Sequence, residues 1–201
     1  MRIGVFGGTF DPPHVGHLIL ASEAAFQLQL AKVLWVLTPD PPHKLTRPIS
    51  PVEFRLQMVQ AIMGDDPFFE LSRVELDRPG PHYAVDTLHR LQEAYPDARL
   101  VYLMGGDSLH DLPTWYHPQE LVDACANLGI MRRVGDEIDL ANLKEQLPGI
   151  SAKIAFIDAP LMEISSSQIR QRIFDGLPFK HFLTRAVYNV IRTNGLYSIK
   201  E

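Results

Sequence analysis

Ile3-Gly4-Val5-Phe6-Gly7-Gly8-Thr9-Phe10-Asp11-Pro12-Pro13-His14-Val15-Gly16-His17 is the stretch on which the fold turns. A short apolar run, Ile3 to Phe6, ends in two glycines, and a proline-punctuated turn leads into an amphipathic segment. Short, continuous and apolar, the run reads as a strand buried on both faces. From Val15 to Leu30 the pattern changes, and Leu18, Ala21, Ala25 and Leu28 fall on one face at helical spacing. Strand, glycine turn and helix together make the first half of a β-α-β unit.

The same grammar recurs outward from this stretch. Val33 to Leu37, Leu100 to Met104, Leu128 to Met131 and Ile154 to Ile157 read as buried strands, and Phe68 to Leu76 as a less regular one. Between them lie helical patterns. Ser50-Pro51-Val52-Glu53 has the form of a capping box with Pro at the first helical position, followed by Leu56, Val59, Ala61 and Met63. Tyr83 to Tyr95 and Gln119 to Ala126 are further helices. Ser165 to Asp175 opens on a second box, Ser165 with Gln168, and closes at Gly176, while Thr184 to Asn194 stops at Gly195. Alternating strands and helices require right-handed crossovers, so the predicted class is α/β, a doubly wound parallel sheet with helices on both faces. There is no internal repeat, low-complexity tract or linker, so residues 1–201 are expected to form a single domain.

Composition narrows the function classes. Nineteen Lys and Arg against 24 Asp and Glu give a net charge of −5, with 46% apolar residues. That excludes a disordered chain and argues against nucleic acid as a partner. A single cysteine, Cys125, excludes a disulfide framework and a cysteine-based zinc site, so a reducing cytoplasmic setting is expected. No apolar run is long enough to span a bilayer, Arg2 is followed almost at once by Gly7, Gly8 and Asp11 rather than by a secretory signal, and no membrane partner is expected.

A doubly wound sheet binds ligands beyond the carboxyl ends of its strands. The unusual residues of this chain stand at those ends. Gly7 to His17 follows the first strand and Thr38-Pro39-Asp40-Pro41-Pro42-His43-Lys44 the second. Gly105-Gly106-Asp107-Ser108 follows Leu100 to Met104, and Ile164-Ser165-Ser166-Ser167-Gln168-Ile169-Arg170 follows Ile154 to Ile157. Their chemistry suits phosphate. Gly7-Gly8 lets backbone N–H groups approach a ligand closely, and the helix starting near His14 directs its positive end to the same place. His14 and His17 both offer imidazole donors across Gly16, Lys44 and Arg170 add fixed charge, and Ser165 to Ser167 offer hydroxyls. The chain has no Walker A loop, and Gly4, Gly7 and Gly8 do not have dinucleotide-fingerprint spacing.

Each element also has a plainer reading. Gly7-Gly8 alone is a tight turn, Ser165 to Gln168 alone a helix cap, His43-Lys44 a solvated turn and Trp115-Tyr116 a core pair. His14 and His17 with Asp11 have the makings of metal ligands, although no further ligand clusters in sequence. The conjunction of these segments at corresponding strand ends outweighs the separate readings.

Those residues carry a resemblance. Gly7 to His17 with its H-x-G-H, together with Ile164 to Arg170, resembles the nucleotidyltransferase superfamily. Pro41-Pro42-His43-Lys44, Tyr83 with Asp86-Thr87-Leu88, Gly106-Asp107 with Trp115-Tyr116, and the ending Asn194-Gly195-Leu196-Tyr197 narrow it to bacterial nicotinate-nucleotide adenylyltransferases. The resemblance spans nearly the whole chain. It implies a Rossmann-like sheet of order 3-2-1-4-5 with a small C-terminal helical part over about residues 165–201. It also implies a reaction of ATP and nicotinate mononucleotide giving deamido-NAD and pyrophosphate, with Mg²⁺ held mainly through the ATP phosphates. His14, His17, Lys44 and Arg170 are then the expected catalytic residues. ATP is expected at these residues (Lys44 apart) and at Gly7, Gly8, Thr9, Phe10, Gly105, Asp107, Ile164, Ser166 and Ser167. The mononucleotide is expected at Gly8, Lys44, Tyr83, Ala84, Thr87, Gly106, Asp107, Trp115 and Tyr116, with Trp115 stacked on the pyridine ring. No protein metal ligand is expected, and a homo-oligomer is compatible with the pattern. Ala84 departs from a threonine frequent in the family, which removes one hydroxyl from the nicotinate end, and the Thr38 to Lys44 loop is shorter than is usual there. Two rivals share the phosphate motifs: phosphopantetheine adenylyltransferase, which does not account for Trp115 or the Asn194 to Tyr197 ending, and a non-catalytic module sensing ATP or NAD.

Overall fold

The structure, a computed structural model, describes residues 1–41, 49–131, 138–160 and 162–198. The chain alternates as expected. β1 (Arg2–Gly8), α1 (Val15–Gln27), β2 (Lys32–Leu37), α2 (Val52–Met63) and β3 (Phe69–Ser72) form the first half. α3 (Ala84–Ala94), β4 (Arg99–Gly105), α4 (Gly106–Asp111), α5 (Pro118–Ala124), β5 (Asn127–Met131), α6 (Leu140–Gln146), α7 (Ile150–Lys153) and β6 (Ile154–Ile157) form the second. α8 (Ser166–Phe174) and α9 (Arg185–Asn194) complete the chain. Among the described residues all strands pair in parallel, in the order β3-β2-β1-β4-β5-β6. The expected order is present and carries one strand more, β6, outside β5.

Alternation along the strands divides the core in two. Ile3, Val5, Leu34, Val36, Leu100 and Tyr102 face α3, α4 and α5, where Val85, Leu88, Leu91, Leu109 and Leu121 meet them. Val33, Trp35, Leu37, Val101 and Leu103 face the other way, onto Leu20 and Ala21 of α1, Met58 and Val59 of α2, Ile169 of α8 and Val187 and Ile191 of α9. The C-terminal helices thus share a core with the sheet. Among the described residues no helix is long and apolar enough to cross a membrane.

Several local expectations change. The strand expected over Phe68 to Leu76 closes at Ser72, because the chain then turns: the Asp77 N–H donates to the Arg73 carbonyl at 2.9 Å. The box expected at Ser50 does not form. Pro51 itself is the N-cap, extended at φ −48° and ψ 142°, while the Ser50 carbonyl accepts from Arg55 Nε at 2.8 Å. At Ser165 the cap does form, its hydroxyl accepting from the Gln168 N–H at 3.2 Å. α4, α6 and α7 have at most seven residues, too short to show a helical period.

One feature of register places the site. β1 pairs with β4 only as far as Val5 and Tyr102, whereas its pairing with β2 runs on to Gly8 and Leu37. Past Val5 and Tyr102 the two central strands part, at the point where the connections switch sides of the sheet. Such a crevice is where a doubly wound sheet receives its ligand.

Candidate active site

The turn from β1 into α1 builds one wall of the crevice. His14 is the N-cap of α1, and its backbone N–H donates to His17 Nδ1 at 3.1 Å. With Nδ1 accepting, a neutral His17 ring carries its proton on Nε2 and is a donor there. The two imidazoles lie with centroids 3.7 Å apart at 30°. Gly16 permits this approach, since a Cβ at that position would stand 3.1 Å from His14 Nδ1. Phe10 takes a left-handed φ of 48°. That turns its ring onto Phe6 at 5.4 Å, Trp35 at 5.3 Å and the edge of His17 at 5.2 Å, so the ring belongs to the core.

A buried polar network anchors this turn. Asp11, 5% exposed, accepts from the Tyr197 hydroxyl at 2.7 Å and the Ser50 N–H at 3.3 Å, so its oxygens are engaged in structure. Arg55, 2% exposed, donates to the carbonyls of Ser50, Thr9, Thr38 and Pro39, tying the ends of β1 and β2 together. Burial, opposed by Asp11 and Asp40, lowers its pKa below the usual guanidinium value. The start of α8 docks on the same turn. Ser166 Oγ donates to the Pro12 carbonyl at 2.8 Å, and Arg170 donates to the Asp11 carbonyl and to Ser167 Oγ.

Two adjoining cavities open at the parted strand ends. The smaller, of about 230 Å³, is lined by Gly7, Gly8, Thr9, Phe10, His14, His17, Gly105, Asp107, Trp115 and Ile164 of the expected residues. The larger, of about 410 Å³, is lined by Gly7, Gly8, Thr9, Tyr83, Ala84, Asp107, Trp115 and Tyr116. Ser166, Ser167 and Arg170 are not among the lining residues but stand beside the motif turn through the contacts above. Gly106 is buried at the start of α4. Thr87 is buried beneath the second cavity, its hydroxyl donating to Glu75 Oε1 at 2.6 Å. Lys44, with Pro42 and His43, lies outside the described residues.

The larger cavity has an aromatic wall. Tyr83 and Tyr116 stack with centroids 4.0 Å apart at 18°, and Trp115 meets Tyr102 edge-on at 6.2 Å. Its floor is polar and buried. Glu75 and His82 are 4% and 5% exposed. Burial raises the Glu75 pKa against the opposing hydrogen bonds of Thr87 and Thr38 and the charge of Arg78. Burial, then Arg78, lowers that of His82. Burial likewise pushes the Cys125 thiol up to about 12, which leaves it inert as a nucleophile.

Sequence reasoning did not single out Arg55, Glu75, His82 or Tyr102. For Arg55 a signal existed: Arg55, Met58, Val59 and Ile62 share one helical stripe, and a charge on an apolar stripe marks a buried ion. Glu75 stands between Val74 and Leu76 in the same way.

Comparison with known proteins agrees with this geometry. The cytidylyltransferase-like family model matches residues 5–172. A Thermomicrobium roseum protein named as a probable nicotinate-nucleotide adenylyltransferase is 43% identical over 200 residues, covering 100% of this chain and 93% of its own. A Thermus thermophilus protein of the same name is 39% identical, covering 98% and 100%. In fold, the chain resembles the Plasmodium falciparum nicotinic acid mononucleotide adenylyltransferase solved with NaAD, at TM-score 0.82 and 19% identity over 98% of this chain and 97% of that one.

Proposed function

The chain belongs to the nicotinate-nucleotide adenylyltransferase family, and from that premise we propose that it transfers the adenylyl group of ATP to nicotinate mononucleotide, releasing pyrophosphate and forming deamido-NAD. The observation that carries this reading is the pair of adjoining cavities, which share Gly7, Gly8, Thr9, Asp107 and Trp115 as a common wall. One end holds the His14–His17 pair and the other an aromatic wall, as a nucleoside triphosphate beside a pyridine nucleotide requires.

The mononucleotide's 5′-phosphate is already a nucleophile, so the reaction needs no general base and no covalent enzyme intermediate. One of its oxygens attacks the α-phosphorus in line and pyrophosphate leaves. Catalysis is then orientation and charge stabilisation. In this proposal His17 Nε2–H and His14 donate to the phosphates, beside the N–H groups at the start of α1. Ser166, Ser167 and Arg170 hold the outer phosphates from the start of α8, which the motif turn carries beside the crevice. Lys44 takes the mononucleotide phosphate, and Gly105, Gly106, Asp107 and Ile164 line the nucleotide path. Trp115 stacks on the pyridine ring, with Tyr83, Ala84 and Tyr116 around its substituent. Thr87 acts from below, through Glu75.

Among the described residues no three His, Cys, Asp or Glu side chains cluster to hold a metal. Imidazoles, hydroxyls and the carboxylate of Asp107 fit a Mg²⁺ that arrives as Mg·ATP, coordinated by phosphate and water. Bound that way it would supply positive charge against the leaving pyrophosphate. A cytoplasmic setting is part of the proposal, supported by the lone, buried Cys125.

The test is pyrophosphate release with Mg·ATP and nicotinate mononucleotide, nicotinamide mononucleotide or phosphopantetheine as acceptor. Turnover with nicotinate mononucleotide, at least about tenfold above the amide in kcat/KM, is expected. Turnover with phosphopantetheine alone contradicts the reading.

A further inference from the structure

Glu75 is a buried acid that the transfer chemistry does not use. It follows β3 in the turn closed by Arg73 and Asp77, and it lines the larger cavity beside His82, Tyr83 and Ala84. Its Oε1 accepts the Thr87 hydroxyl at 2.6 Å; the Thr38 hydroxyl also favours its anion, but Oε2 has no partner with hydrogen-bond geometry among the described residues. His82 Nδ1, on the same cavity, is in the same condition. Buried polar atoms without partners carry a desolvation cost that a ligand group can relieve. Two of them on one cavity floor mark the place where a polar substituent is met.

The chemistry of that substituent follows from the carboxyl. An ionised Glu75 only accepts, so it suits an amide NH₂ and repels a carboxylate. A protonated Glu75 donates through Oε2–H, which suits a carboxylate. Resting on the function proposed above, we infer that Glu75 reads the substituent of the pyridine ring. It takes one proton from solvent when nicotinate mononucleotide binds and donates that proton in a hydrogen bond to the nicotinate carboxylate. Nicotinamide mononucleotide is met without that uptake.

The surroundings favour this protonation. Burial disfavours the Glu75 anion, and an incoming carboxylate disfavours it further. The facing groups are Tyr102 from β4, His82 from the segment before α3, Arg78 from the turn after Glu75, and Asp107 and Asp111 of α4 on the cavity wall. Burial keeps Tyr102 a neutral phenol, and burial with Arg78 disfavours the charged form of His82. Arg78, the cation of the group, has its Nη1 committed to the Pro81 carbonyl at 2.8 Å.

Calorimetric titration in two buffers of different ionisation enthalpy tests this, near about pH 7. Nicotinate mononucleotide should take up more protons than nicotinamide mononucleotide, by up to about one per site. The 5′-phosphate and the histidines are common to both ligands and cancel in the difference. In Glu75→Gln, which keeps an acceptor for Thr87 and offers an amide donor, the difference should vanish. The acid-to-amide ratio of kcat/KM in the wild type should fall about fivefold or more from about pH 5 to about pH 8, and stay flat in Glu75→Gln. Equal uptake with the two ligands, or a difference that survives in Glu75→Gln, overturns the inference. Should Glu75→Gln fail to fold, the wild-type ratio decides, and a flat ratio overturns it. Binding of neither mononucleotide overturns this inference and the proposed function together, whereas tight binding with equal uptake overturns this inference alone.

Discussion

The two cavities lie side by side yet are made in different ways. The smaller takes its imidazoles from one continuous turn, Gly7 to His17, held by a contact within the turn itself, the His14 N–H on His17 Nδ1, with Gly16 leaving room for the His14 ring. The larger is assembled from the ends of β1 and β2, the turn after β3, the start of α3 and the segment after α4. Phosphate is the same anion on every nucleotide, and a local loop can present N–H groups and imidazoles to it. Telling one acceptor from another takes a pocket with several independent walls. In the proposed function, chemistry sits in the local half and choice of substrate in the assembled half.

Arg55 spans both halves, so its loss is expected to have the largest effect. Arg55→Ala orphans the carbonyls of Ser50, Thr9, Thr38 and Pro39 and should lower stability by at least about 3 kcal/mol, read by urea unfolding. A loss below about 1 kcal/mol would mean that water replaces the guanidinium and the two halves are not tied through it. His17→Ala should lower kcat about 10²-fold, about 2.7 kcal/mol, with the fold retained and the mononucleotide Kd unchanged. A folded variant with near-normal kcat would remove His17 from the chemistry. Trp115→Ala should weaken mononucleotide binding by about 1–3 kcal/mol and ATP binding by less, although Trp115 borders both cavities. Equal losses for the two would place Trp115 in neither half.

The smallest expected effect is on stability alone. Burial keeps Glu75 protonated to higher pH in the folded chain than in the unfolded one. Its contribution is therefore fully present below the unfolded value and is lost as pH rises through the folded one. Glu75→Gln should match the wild type near about pH 4 and exceed it in melting temperature at about pH 8. A gap that does not change with pH would show that Glu75 titrates alike in the folded and the unfolded chain.

The same contrast explains what the sequence could reveal. The sheet was legible because each central strand is a continuous apolar run between turn residues, and the motif turn because its chemistry is contiguous. Ile154 to Ile157 was legible as a strand, but its place outside β5 was not part of the order that the resemblance implied, and the short α4, α6 and α7 lay below the reach of periodicity. In the assembled half, Trp115, Tyr83 and Ala84 were found through resemblance. Glu75 and His82 were not: the one trace of Glu75 is a charge set between Val74 and Leu76, and a histidine before a helix carries no pattern of its own. The ending Asn194 to Tyr197 was noticed for its resemblance, and its physical role emerged only in three dimensions, where the Tyr197 hydroxyl reaches Asp11. A contact across so much of the chain leaves no local trace.

The central claim is that the two cavities hold the two ends of one dinucleotide. Equilibrium binding on a single preparation tests it most directly, with ATP, nicotinate mononucleotide and deamido-NAD titrated alone and in competition. The account predicts that ATP and the mononucleotide bind one at a time or together, and that saturating deamido-NAD excludes both. Deamido-NAD that displaces one of them and leaves the other bound at full affinity would contradict it.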